Sequence, residues 1–273
     1  MSGSGDEGGS APGGGSRGRF GGRTGGGKGS GTRHAETARL LWGGPRSLPA
    51  RGPRPTLDLG RVARAGVELA DAEGMSAVSM HRVAARLGVT KMALYRYVPG
   101  KAELVALMVD DAMGPYPEQR QQGQGRRDGW RGRLAAWAEE LLTAYLRHPW
   151  VLDATAGPRV VGPSELDWIE HAVAALDGTR LSGAERMDAA VLLGSHVRGI
   201  AQQARATSPG ESQEGELSVV LSEVLKERGE RYPALAAALA STAAEPEGRD
   251  QAWEFGLQRI LDGLAVLVEE RAR

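Results

Sequence analysis

The chain of 273 residues contains no cysteine. Disulfides, thiolate nucleophiles, iron–sulfur clusters and cysteine-ligated zinc are thereby excluded. No apolar run reaches the ~18–20 residues of a membrane span, and the N-terminus is glycine-rich where a secretory signal needs an apolar stretch. A soluble cytoplasmic protein with no membrane partner is expected. Catalytic motifs are missing as well: there is no HExxH and no GxSxG elbow. The segment "GGRTGGGKGS" shares glycine and lysine with a phosphate-binding loop, but it lacks a preceding strand and the spacing through Gly-Lys-Ser/Thr. The reading is not an enzyme, with no cofactor.

Net charge is also absent, since 34 Lys and Arg balance 34 Asp and Glu, yet the balance hides a gradient. Residues 1–55 carry nine basic and three acidic groups, residues 56–104 carry seven and five, and the remainder carries 18 and 26. The successive net charges of +6, +2 and −8 assign an anionic partner, nucleic acid first, to the early part of the chain. From Ser79 to Lys101 there is no acidic residue, although Arg82, Arg86, Lys91, Arg96 and Lys101 all lie there.

Three regions follow from composition and periodicity. Residues 1–54 are glycine, serine and scattered arginine, with too few large apolar side chains to offset the entropy of ordering, so a disordered tail is expected. Within it, "ARLLWGG" has the makings of a brief helix that Pro45, Pro49, Pro53 and Pro55 stop from extending. Residues 55–104 predict three helices. Val62, Ala65, Leu69 and Ala70 give one apolar stripe that Gly74 closes. Ser79 and Thr90 are N-caps of two short helices, preceded by Val78 and Val89, with Gly88 in the tight turn between them. Residues 105–273 predict only helices and loops, near 126–148, 164–177, 183–206, 216–228, 233–242 and 249–272. The fold class is all-α.

Two short helices joined by a glycine turn, with a third packed behind them, form a helix-turn-helix, whose second helix enters the DNA major groove. Leu94 and Val98 would face its core, leaving Thr90, Lys91, Met92, Tyr95 and Arg96 outward. Lys91, in the first turn, is the expected base or phosphate contact, with Thr90 and Met92 reading base edges. Tyr95, Tyr97 and Lys101 suit phosphates, and Ser79 and His81 add contacts at the preceding helix start. Arg82 and Arg86 are divided evenly between DNA contact and a solvated helix back.

At these residues the sequence resembles the TetR family of transcriptional regulators, through "VARAGVELADAEG", "SMHRVAARLGV" and "TKMALYRYVPGKAEL". The resemblance implies a homodimer joined by its last long helices, a double-stranded DNA operator, and a small-molecule effector in a C-terminal pocket whose binding releases DNA. Pocket residues would come from Trp137, Leu141, Tyr145, Trp168, His171, His196, Arg198 and Gln202, which mix aromatic walls with polar tips, the alternative being that the stripe of Trp137, Leu141 and Tyr145 is plain core and that His171 and His196 are buried polar residues. Gly194, Gly199, Gly256 and Gly263 lie inside predicted helices, where each costs about 1 kcal/mol relative to alanine, and are assigned to a close dimer interface, with packing within the chain as the alternative. No histidine-rich loop of the kind that holds a magnesium chelate in some members is present, so no metal is expected. The rival reading is a non-specific or architectural DNA-binding protein that grips through its basic tail.

Overall fold

The computed structural model describes residues 27–43, 57–117, 129–206, 213–244 and 251–273. Its elements are α1 (Gly27–Trp42), α2 (Leu59–Glu73), α3 (Met80–Arg86), α4 (Lys91–Tyr95), α5 (Lys101–Met113), α6 (Gly129–Arg147), α7 (Val151–Ala154), α8 (Pro163–Ala174), α9 (Gly183–Ala206), α10 (Gln213–Arg228), α11 (Pro233–Ala244) and α12 (Ala252–Ala272). A 3₁₀ turn, Gly229–Arg231, joins α10 to α11. The described residues contain no strand, and none of their helices is long and apolar enough to cross a membrane.

Gly74, at φ of +80°, ends α2 as read from sequence. Asp58, which that reading did not single out, caps the start of α2 by accepting from Arg61 N at 2.8 Å, an interaction worth ~1 kcal/mol. The stripe of α2 buries Val62, Ala65, Leu69 and Ala70. That stripe lies along α5, and at the contact Gly66 has no Cβ because Met108 would meet one at 2.6 Å. Leu104 and Met108 of α5 are fully buried. The border expected at 104/105 therefore falls inside a continuous helix whose C-terminal half also carries the second domain.

In that second domain α6 packs on α9, α9 on α12, and α8 against α5, α6 and α9. Leu134, Trp137, Ala138 and Leu141 of α6 meet a core that includes Trp168, Leu193, Val197, Leu257 and Leu261. Polar clasps fix the register. Arg131 donates to Leu261 O at 2.9 Å and to Asp262 at 2.8 Å, tying α6 to α12. Arg133 donates to Ala175 O, and Asp110 at the end of α5 accepts from Ser164 N at 2.8 Å in the first turn of α8.

The expected tail requires one correction. Gly27–Trp42 is a helix of 16 residues rather than a disordered or briefly helical stretch, and the prolines begin only beyond its end. Tertiary burial overrides its glycine-rich start: Leu40 and Thr37 are buried, α1 rests on α5, and Trp42 Nε1 donates to Val161 O at 3.1 Å. The rest of the tail, residues 1–26 and 44–54, lies outside the described residues.

Two outcomes test this packing. Leu40→Ala is expected to lower unfolding free energy by roughly 2–3 kcal/mol in urea titration, as loss of a core leucine does and loss of a tail residue does not. Glu185 links the start of α9 to the end of α12 by accepting from Arg271 at 2.6 Å, and that guanidinium together with Ser182 lowers its carboxyl to about 2. Its folded value lies below the unfolded one, so its contribution is present above the ordinary carboxylate pKa and fades as pH falls toward about 2. Acid titration should show a steeper loss of stability below about pH 4.5 in the wild type than in Glu185→Gln.

Candidate DNA interface and effector domain

The helix-turn-helix is built by backbone chemistry. Ser79 Oγ accepts from Arg82 N at 3.2 Å and Thr90 Oγ1 from Ala93 N at 3.1 Å, so both caps are made as read. Between them, Gly88 has φ of +67°, with Gly88 N donating to Ala85 O and Val89 N to Ala84 O. This paired bonding ends α3 and turns the chain sharply into α4, a conformation that an L side chain strains. Val78, Val83, Leu94 and Val98 are buried beneath.

The basic cluster divides in two. Arg82 donates to Glu73 through both terminal nitrogens, at 2.6 and 2.9 Å, and Arg86 Nε donates to Glu68 at 2.8 Å. Arg82 thereby holds the Glu73 carboxyl below the usual range. Those arginines brace α3 against α2. Lys91, Arg96 and Lys101 are exposed and make no ion pair among the described residues. Met92 is 73% exposed, and Lys91 Nζ sits 5.6 Å from the Tyr95 ring centroid, a contact that orders the lysine on the outer face. His81 and Thr90 are exposed, Ser79 and Tyr97 half-buried, the last packed on the core. Of the nine residues, His81, Thr90, Lys91, Met92, Tyr95, Arg96 and Lys101 are exposed, and Ser79 and Tyr97 are half-buried.

In the effector domain the eight named residues separate. Trp137, Leu141 and Trp168 are buried together, with Trp137 Nε1 donating to Trp168 O at 2.8 Å. Tyr145 is half-buried beside Arg198, whose guanidinium lies 6.0 Å from its ring; burial pushes its phenol up against the opposing pull of Arg198. Arg159 and Glu165 form a two-pronged ion pair nearby. His171 stacks on Tyr116 at 4.4 Å, toward the end of α5.

His196 and Gln202 do not join this group. The His196 ring stacks on Trp253 at 5.6 Å against α12, and Gln202 is exposed.

The four glycines also divide. A Cβ at Gly256 would meet the His196 ring at 2.2 Å, so this glycine permits close packing within the chain, whereas one at Gly194 would lie in ordinary contact, 3.6 Å from Trp137. Gly199 and Gly263 face open space.

Comparison with known proteins decides between the readings. Residues 63–108 match the description "Bacterial regulatory proteins, tetR family", and residues 122–268 match "Tetracyclin repressor-like, C-terminal domain". The chain belongs to the TetR family. It is a DNA-binding transcriptional regulator, and the architectural alternative is not favoured. The HTH-type transcriptional repressor DrrR1 of Streptomyces coeruleorubidus is 40% identical over 245 residues, 87% of each chain. An HTH-type transcriptional regulator of Saccharopolyspora erythraea is 27% identical, covering 78% of this chain and 86% of its own. In fold, apo ActR of Streptomyces coelicolor superposes with a TM-score of 0.64 at 21% identity, over 80% of this chain and 99% of ActR. ActR in complex with actinorhodin gives 0.61 at 23% identity, over 78% and 97%.

Sequence reasoning missed Glu68 and Glu73 as the partners of the two arginines. Their spacing from α3 carries no local signal, because the contact is made by packing α2 across it.

The division of the cluster yields a paired expectation. Lys91→Ala should weaken binding to a specific site by ~1–3 kcal/mol, read by fluorescence anisotropy. Arg86→Ala should leave that affinity nearly unchanged and lower stability by less than ~1 kcal/mol, the scale of an exposed ion pair.

Proposed function

We propose that the chain acts as a cytoplasmic homodimer on a pseudo-palindromic operator, and that a small-molecule effector held in the C-terminal domain releases it. The observation that carries this reading is the unpaired basic face of α4. Three cations with no carboxylate partner among the described residues surround an exposed methionine and tyrosine, a surface suited to phosphates and base edges. Thr90, Lys91, Met92, Tyr95 and Arg96 read the groove, and Ser79, His81, Tyr97 and Lys101 fix the register on the backbone.

The dimer is supported by apolar surface that one chain leaves open. Met187, Val191 and Gly199 recur along one side of α9, and Phe255, Gly263 and Val266 along one side of α12. Val191 and Phe255 are 62% and 64% exposed, an arrangement that a second copy would cover. Two-fold symmetry then places the recognition helices about 34–36 Å apart, one DNA turn. For the effector, Trp137, Leu141, Tyr145, Trp168 and Arg198, with His171 at the margin, offer aromatic walls and a few polar tips, which suit an amphipathic aromatic or polycyclic compound. The likeness to ActR, which is seen with actinorhodin, is consistent with that class.

Duplexes tiled from the DNA upstream of the gene should include one bound at least ~10³-fold more tightly than the rest, by a dimer in sedimentation velocity. Equal, salt-steep binding to every tile by a monomer would refute the operator reading. Actinorhodin is the first effector probe, expected to weaken binding to the best tile by about 5-fold or more.

A further inference from the structure

We propose that Asp71 fastens the DNA-binding domain to the effector domain and positions the recognition helix. Its functional consequence rests on the operator-binding dimer proposed above.

Asp71 lies near the end of α2, but its carboxylate serves the other domain. Oδ1 accepts from the Trp150 indole at 2.7 Å and lies 2.9 Å from His148 Nδ1. Trp150 is 5% exposed, and a buried indole N–H requires an acceptor. Here the acceptor stands 79 residues away in sequence, on a helix of the DNA-binding domain.

His148 and Trp150 flank Pro149 at the corner where α6 becomes α7. The same corner is also gripped by α9. Arg198 donates to Leu152 O and, at 2.9 Å, to Thr155 Oγ1; Arg205 donates to Asp153 Oδ2 at 2.6 Å and to Pro149 O at 3.4 Å. With four residues, α7 is too short to hold its own shape, so its position follows what grips it. A shift of α9 is therefore passed through α7 to Asp71 and into α2, against which α3 is braced. Around the corner, Asp111 of α5 feels the charges of both His148 and Arg64, and Arg64 reaches it only at 4.0 Å. The Asp71 bonds are short and directional where that pair is long and loose.

Because the chain has no cysteine, spin labels can be placed without removing any. One goes at Met92→Cys on α4 and one at Leu166→Cys on α8, positions 73% and 47% exposed. The labelled chain is diluted with unlabelled protein, so that pulsed electron–electron resonance reads the distance within one chain. Wild-type background and Asp71→Asn, which keeps a carbonyl acceptor, should give one narrow distribution, and Asp71→Ala a broadened or shifted one. On unlabelled protein, Asp71→Ala should weaken operator binding about 10-fold while leaving low-salt binding to random DNA unchanged, with Asp71→Asn restoring it.

An unchanged distance distribution in Asp71→Ala overturns the fastening, and unchanged operator affinity overturns its functional role. Should Asp71→Ala fail to fold, Trp150→Phe, which keeps a ring and removes the N–H, is read in the same way. If no tile proves to be an operator, the proposed function fails instead, and the distance measurement still decides whether Asp71 joins the domains.

Discussion

The packing of α5 into two cores at once is the constraint on which this molecule depends. Its N-terminal half, with Leu104 and Met108, completes the three-helix unit through the close approach at Gly66. Its C-terminal end is stitched to α8 by Asp110 to Ser164, by Trp168 Nε1 to Gly114 O at 3.0 Å, and by Tyr116 N to Asp167 at 2.7 Å. A helix anchored this way cannot turn in one core without disturbing the other, because both are close-packed. The domains are thus mechanically joined, although the sequence changes character between them.

Charge is distributed according to the same division. On the DNA-binding half, cations that face inward toward α2 are neutralised, and those on the outer side of α4 are left without partners among the described residues. On the effector half, arginines mostly serve as clasps: Arg131, Arg205 and Arg271 each bind a carbonyl or carboxylate on a neighbouring helix, and Arg133 and Arg186 bind acceptors in the turn that follows α8. Arginine suits this use, since its planar fork reaches several acceptors and keeps its charge when half-buried. An acidic, self-satisfied half beside a basic, unsatisfied one concentrates positive potential at α4 rather than over the whole surface.

The helix-turn-helix was legible because its determinants are local. A cap, a staple and a glycine turn are separated by three or four residues, and each bond they make is with a neighbour in sequence. The contacts within the effector domain were legible only in part. Helical periodicity puts Trp137, Leu141 and Tyr145 on one side of α6, but which helix meets that side depends on the packing of α8 and α9. His196 and Arg198, two residues apart, go to different partners, α12 and α7, for this reason. The helical glycines divided on the same ground: absence of a side chain allows close approach without saying to what.

By itself, then, the sequence determined the helical class, the caps and turn that shape the DNA-reading unit, the acid-free stretch and the family, all consequences of short-range spacing and composition. The tertiary structure decided what long-range contacts alone can decide. It ordered Gly27–Trp42 by giving Leu40 a buried seat, withdrew Arg82 and Arg86 from the DNA face, and brought Asp71 to Trp150 across 79 residues. Each depends on where one helix lies against another, and no periodicity within a single helix carries that information.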